Sequence, residues 1–447
     1  MSGSGHTESA LGRLALVSLF ALAPRLFVEV EANYPADMMS SPPTYFAITH
    51  KRDSDAMAPI PSLLWRCGWR GITHEVHFAT RSDAFAPGFL SRMVPHPRWF
   101  SRVLRPISVA PVLRGVGLHP LHGLHLRPME TWVREWLVAA GDAPTGDVLS
   151  QDAIAHIAQA KREPPERLAA QPLSRLLKWR YHYPIQRLCG VEIFADGARR
   201  PAVRRAILRI EGQIAELASC LQSGHSLYTA PEGWLSPDGR LASLPGGLAR
   251  LLEVAPPDTR VLPIAIIYDF IHTGRPRMFV DVAAPIDDGA QLSPKELSER
   301  LHAAWLGVMR FTCTQLATGI IARHTAQPDD TWSVAELTQA VGAWARDLAG
   351  QGRHVDTRLL DPLKARKRVA SYVRYLARRK LLRRIPRNRW QLSTPLRPIQ
   401  IPPGEVGYKH EPLAYAWNEL QEMLTVPSTA IHPREQAPIF DADEGQR

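Results

Sequence analysis

The chain has 447 residues, enough for two or three domains, and 45% apolar with 22% charged residues is the balance of a folded protein, which excludes a disordered chain. Four cysteines, Cys67, Cys189, Cys220 and Cys313, form no CxxC pair and no regular spacing, which excludes a disulfide framework and favours a reducing cytoplasm. The net charge of +11 is concentrated: residues 364–389 hold 12 Lys or Arg and no acid, so the remaining residues sum to about −1.

The apolar run "LALVSLFALAPRLFVEV" at 14–30 is interrupted by Pro24 and Arg25, short of the ~20 apolar residues that cross a bilayer. It shows no small-residue cleavage site, so neither a spanning helix nor a secretory leader is expected. "TYFAIT" at 44–49 reads as a strand. Residues 81–189 are irregular and rich in Pro and Arg, with a helix predicted at 129–140 and a basic aromatic run, "LSRLLKWRYHY", at 173–183. They read as a mostly helical insertion. Further strands are predicted at 190–194, 226–230, 261–268 and 278–283. Between the first two of these runs an amphipathic helix with Val203, Ile207, Ile210, Ile214 and Leu217 on one face, stopped by Gly224. Strands separated by helices predict an α/β fold, a mainly parallel sheet flanked by helices. Its ligand-gathering edge would hold residues 190–196 and 229–236 as neighbours.

Beyond "AQPDDTW" at 326–332, Ser333 and Glu336 form a capping box ahead of a helix to about Leu348. A second helix at 362–380 carries Val369, Tyr372, Val373 and Leu376 on one face, and "LLRRIPRNRWQLS" resembles a hairpin. Together they predict a small winged-helix-like domain at 330–395, after a domain at 1–325 that holds the insertion. Residues 396–447, rich in Pro and polar groups, are expected to lack structure.

The chemistry starts at "THKRDSDA", where His50 and Asp55 are separated by four residues directly after a strand. A neutral imidazole removes a proton from a hydroxyl when one ring nitrogen faces it and the tautomer is fixed from the other side, a task that suits Asp55. The same stretch also suits a turn in which Asp53 or Ser54 caps a helix, and alone it does not separate the two. Downstream, "APEGWLS" places Pro231, Glu232, Gly233 and Ser236 after a strand, and "VLPIAII" carries Pro263 within another.

These segments, in this order, resemble the PlsC-type glycerolipid acyltransferase family over roughly residues 40–290, the insertion excepted. The family carries a histidine and aspartate separated by four residues, then Pro-Glu-Gly-Thr-Arg-Ser, then an apolar strand with a proline. The resemblance implies that His50 is the general base on the acceptor hydroxyl and that Asp55 orients it. The hydroxyl would attack the thioester of acyl-CoA or acyl carrier protein, with no covalent acyl-enzyme, no metal and no cofactor. Glu232, Gly233, Ser236 and Pro263 would shape the acceptor site. The acceptor would be a glycerolipid precursor, lysophosphatidate or glycerol 3-phosphate, and the enzyme cytoplasmic, peripheral on the inner face of an anionic membrane.

The chain departs from the family at Trp234 and Leu235, which stand where Thr and Arg are usual. In "GVEIFADG" at 190–197, Asp196 aligns but Gly197 occupies an arginine position. Arg199 and Arg200, or Lys51 and Arg52, are the candidates to replace the missing cations on a phosphate. The alternative is a non-phosphorylated acceptor or another lysolipid.

Two histidine patterns are discounted as metal sites. In "LHPLHGLHL", His119, His122 and His125 drift around a helix that Pro120 and Gly123 would break. "THEVH" is one residue short of HExxH, so His74 and His77 fit strand alternation better. The basic run at 364–389 is a rival signal, since a winged helix would present it to DNA phosphates. A cationic face for anionic lipid or acyl carrier protein is preferred, and nucleic acid is not expected as a partner.

Overall fold

The computed structural model describes residues 28–35, 43–52, 55, 76–81, most of 103–121, 127–324 apart from 234 and 245, 331–394, 396 and 407–426, with isolated positions between 85 and 91. Asp53, Ser54, His74, His122, His125 and Trp234 lie outside the described residues, as do most of the run at 14–30 and the tail from 427.

The strands are β1 (Glu29–Asn33), β2 (Thr44–Ile48), β3 (Val76–Arg81), β4 (Leu118–Leu121), β5 (Arg127–Pro128), β6 (Leu188–Cys189), β7 (Ser226–Thr229), β8 (Arg260–Asp269), β9 (Arg277–Val282), β10 (Trp332–Ser333), β11 (Leu382–Ile385) and β12 (Arg389–Leu392). Seven form one sheet in the order β1-β9-β8-β2-β7-β3-β4. Every neighbouring pair is parallel except β8 with β9. This is the α/β, mostly parallel sheet that alternation of strands and helices predicts. β8 and β2 are buried along almost their whole length, which is why both read as continuous apolar runs. Pro263 is tolerated inside β8 because the antiparallel ladder with β9 begins one residue later, at Ile264.

The longer helices are α1 (Met129–Ala140), α2 (Gln151–Lys161), α3 (Asp196–Gln222), α4 (Gly247–Val254), α5 (Pro294–Val308), α6 (Cys313–His324), α7 (Val334–Gly350), α8 (Pro362–Arg378) and α9 (Pro412–Met423). α3 joins two cores. Its carboxyl-terminal half packs Leu217, Ala218 and Leu221 on the sheet core, while its first turns bury Ala198, Ala202 and Ala206 against Trp132, Ile157, Leu168, Tyr181 and Phe194. Residues 129–206 are therefore a helical layer with its own core.

Three expectations are corrected. "GVEIF" is not a strand: Val191–Ile193 form a single 3-10 turn, and the apolar pattern reflects burial of Ile193 and Phe194 in the helical layer. Within the segment 81–189, read as a mostly helical insertion, Leu118–Leu121 instead add an edge strand to the main sheet. The segment expected to lack structure contains α9, whose Leu413, Tyr415, Ala416, Leu420 and Met423 are buried in the sheet core. Its Pro-rich flanks hid a short helix that depends on tertiary burial.

The region 331–394 comprises α7, α8 and an antiparallel sheet ordered β10-β12-β11. The capping box at Ser333 and Glu336 is present. Buried ion pairs tie the surroundings together: Arg368 of α8 binds Asp269 at the end of β8, and the fully buried Arg277 binds Asp356 and Glu31. Among the described residues no helix is long and apolar enough to cross a membrane.

Candidate active site

β2 ends where Thr49 substitutes a side chain for the next ladder bond, its Oγ1 accepting the Ile266 N–H of β8 at 2.8 Å. His50, Lys51 and Arg52 then leave the sheet, and the chain turns back at Asp55, whose N–H donates to Arg52 O at 3.0 Å. Asp55 is fully buried. Its Oδ2 accepts the N–H groups of Lys51 and Arg52, the latter at 2.6 Å, and its Oδ1 accepts the Tyr268 hydroxyl. A carboxylate with this many donors is fixed in place. His50 Nδ1 stands 3.6 Å from Asp55 Oδ2, an ion-pair separation just outside hydrogen-bond reach. Nδ1 is buried, so Nε2 is the ring nitrogen left for a ligand.

The backbone of His50 is clamped from both sides by the segment after β7. Glu232, fully buried, accepts the His50 N–H on Oε1 and the Ala242 N–H on Oε2, each at 2.7 Å. Burial pushes its carboxyl up, while the Lys51 ammonium and the two N–H donors pull it down. Ser236 donates its N–H to His50 O at 2.9 Å and its hydroxyl to Arg240 O at 2.6 Å. Gly233 sits at φ 74°, in the left-handed region that glycine alone enters freely, and closes this turn by donating to Ala230 O. Sequence reasoning aimed Glu232 at the acceptor. Both of its oxygens are instead committed to backbone, which makes it a positioning residue for His50.

The remaining candidates divide. Pro263 is buried in register with Ala47, three residues short of His50 along the strand. Arg199 and Arg200 occupy the first turn of α3, where Arg199 binds Phe194 O and pairs with Asp196, both in the helical layer. Neither is brought to His50 by any described contact. Lys51 is buried, its Nζ donating to Gly239 O at 2.7 Å and facing Glu419 of α9 at 3.5 Å, so it is not free for a ligand either. Gly239 has φ 97°, and a Cβ there would lie 2.3 Å from Tyr415 O, so only glycine allows α9 to cross this turn.

Arg52 is different. Its guanidinium lies over three rings, Tyr408 at 4.3 Å, Tyr268 at 4.4 Å and Phe270 at 5.0 Å, and among the described residues it forms no ion pair. The site thus includes Tyr268, Tyr408 and Glu419, which sequence reasoning missed. Tyr268 was legible as the end of an apolar strand, but nothing in the sequence linked residues 408–419 to residue 51. No family model matches the chain, and comparison with curated proteins finds no match.

Proposed function

We propose that the chain is a PlsC-type acyltransferase moving a fatty acyl group from a thioester donor to a hydroxyl of a glycerolipid precursor. The observation that carries the reading is a half-buried histidine at the carboxyl edge of a parallel sheet, clamped through its own N–H and C=O, with Nδ1 turned to a buried carboxylate. In this mechanism His50 Nε2 takes the acceptor hydroxyl proton as the oxygen attacks the thioester carbonyl. Asp55 steadies the imidazolium through Nδ1. Collapse of the tetrahedral adduct breaks the C–S bond, and the imidazolium returns its proton to the leaving thiolate. The sheet is read as the acyltransferase fold and residues 330–395 as a winged-helix-like appendage.

Because Leu235 and Gly197 supply no cation, the acceptor's phosphate is assigned to Arg52, whose guanidinium lies over aromatic rings, pairs with no acid among the described residues and is of the type that binds phosphate through two N–H groups. Purified protein assayed with labelled acyl-CoA against phosphorylated and non-phosphorylated acceptors tests the whole reading, and transfer to neither would end it. Arg52→Ala should raise KM for a phosphorylated acceptor roughly 10–100-fold, the worth of a charged hydrogen-bond pair, with kcat little changed. Glu232→Gln, which keeps one acceptor oxygen where two are used, should lower kcat on the order of 10–100-fold through misplacement of His50 and leave acceptor KM unchanged. A KM effect in that variant would return Glu232 to the acceptor site.

Membrane-peripheral action is supported by Trp179 and Tyr183, 77% and 64% exposed beside Lys178 and Arg180. A second reading, nucleic-acid binding through residues 330–395, is favoured by the exposed Lys364, Arg366, Lys367, Arg374, Arg383 and Arg387 on α8 and the hairpin. A sequence-specific footprint by that region would put it first, whereas salt-sensitive binding to anionic vesicles alone supports the acyltransferase reading.

A further inference from the structure

At the opposite end of the sheet from His50, a second cluster gathers residues that are far apart in sequence. His77 on β3 pairs in register with Leu227 of β7, which in turn pairs with Tyr45 of β2. That level is five residues before His50, roughly 16 Å along the strand direction. There His77 Nδ1 faces His119 Nε2 of β4 at 2.9 Å, and Cys220 Sγ, from the last turns of α3, lies 3.8 Å from the same His119 nitrogen. All three atoms lie within 4.8 Å of one another, with Cys220 buried and both histidines half-buried. Nitrogen and sulfur ligands around a tetrahedral zinc ion stand about 3.3–3.6 Å apart, so these spacings bracket that geometry.

The outer contacts fit the same assignment. His119 Nδ1 is 2.8 Å from Glu216 Oε1, one turn before Cys220 on α3. A carboxylate can only accept, so it fixes the His119 proton on Nδ1 and leaves a lone pair on Nε2, facing the cluster. His77 Nε2 is 3.1 Å from His225 Nδ1. With the His77 proton on that outer nitrogen, two imidazole lone pairs and a thiol converge on one point, which a cation satisfies.

We propose that His77, His119 and Cys220 bind one divalent transition-metal ion of the zinc class, with Glu216 and His225 orienting the two imidazoles. Binding converts the Cys220 thiol to thiolate and releases its proton. The three ligands come from β3, β4 and α3, so the ion staples the sheet edge to the helix that also carries the helical layer. The described residues supply three ligands, and water or a further ligand would complete a tetrahedral set. The local run of His119, His122 and His125 hid this site, because the partners of His119 lie 42 and 101 residues away.

The test uses the full-length chain, stripped with chelator and titrated with Co²⁺. Expected are one equivalent bound, intense visible bands of tetrahedral cobalt, a near-ultraviolet sulfur-to-cobalt charge-transfer band, and displacement by Zn²⁺. Cys220→Ala should abolish the charge-transfer band. Glu216→Gln, a change at a half-exposed side chain that leaves the fold intact, should weaken binding roughly 10–100-fold. Zn²⁺ should also raise the unfolding midpoint of the stripped protein. The proposal is overturned if folded protein shows no tetrahedral cobalt spectrum at saturation, which would make the cluster a histidine hydrogen-bond relay. It is equally overturned if the charge-transfer band survives in Cys220→Ala, which would place the metal on another cysteine.

Discussion

His50→Ala is expected to lower acyl transfer by about 10²–10⁴-fold, the range a positioned general base supplies, while the circular dichroism spectrum and unfolding midpoint stay near wild type. The fold should be indifferent because the clamp on this residue runs through its backbone. Glu232 and Ser236 hold the His50 N–H and C=O, and alanine keeps both. The imidazole itself makes no hydrogen bond through Nδ1, so its removal strands no buried partner. Asp55→Asn makes a contrasting case. Its amide would offer one oxygen and one NH₂ where Oδ2 now accepts two backbone N–H groups and Oδ1 accepts a tyrosine hydroxyl. The amide fits in one orientation, its oxygen accepting the two backbone N–H groups and its NH₂ donating to the tyrosine hydroxyl, which turns round to accept. Charge-assisted bonds then become weaker neutral ones and the negative charge facing Nδ1 is lost, so Asp55→Asn should lose both rate and some stability, whereas His50→Ala loses rate alone. A His50→Ala protein with wild-type turnover would remove the chemistry from this histidine and leave the fold without an assigned function.

The difference between these variants also explains what was legible in the sequence. Local signals survived. Continuous apolar runs marked β2 and β8 because both are buried on two faces, and Ser333 with Glu336 marked the start of α7 because a capping box is a contact within one turn. His50, Asp55 and Glu232 stood out as residue types at a spacing. What the sequence did not show is where four side chains, Glu232, Arg199, Arg200 and Lys51, are spent. Glu232 looked like a substrate ligand and is a backbone strut. Arg199 and Arg200 looked adjacent to the site because "GVEIF" has the composition of a strand, but Ile193 and Phe194 fill the core of the helical layer instead. Lys51 looked like a free cation and is sealed under α9, a helix whose own sequence gave no periodic signal strong enough to place it.

That last arrangement carries the second large effect. Glu419→Ala is expected to destabilise the protein by about 3–5 kcal/mol, a large fraction of the roughly 5–15 kcal/mol typical of a folded chain. Lys51 and Glu419 are 2% and 3% exposed and stand 3.5 Å apart. Each has one further partner, Gly239 O for the ammonium and the Gln315 amide for the carboxylate. Burial pushes the Glu419 carboxyl up, and the Lys51 charge opposes that shift. Deleting the carboxylate leaves a buried ammonium with one hydrogen-bonding carbonyl among the described residues and only the longer-range charges of Glu232 and Glu422 to oppose it, and this loss of the nearest counterion dominates the cost. Packing alone predicts otherwise, since a half-filled space beside Gln315 would be felt equally whether or not Lys51 were charged. The double variant Lys51→Met with Glu419→Leu separates the two causes. Replacing both charges with apolar side chains of similar volume is often neutral or better, so the double variant should recover most of the midpoint lost by Glu419→Ala. Because Lys51 reaches Asp55 through its backbone N–H, which methionine retains, the recovered protein should also keep His50-dependent turnover. Recovery of stability without turnover would show that α9 holds the site through the Lys51 ammonium, and failure to recover either would assign the loss to packing around α9.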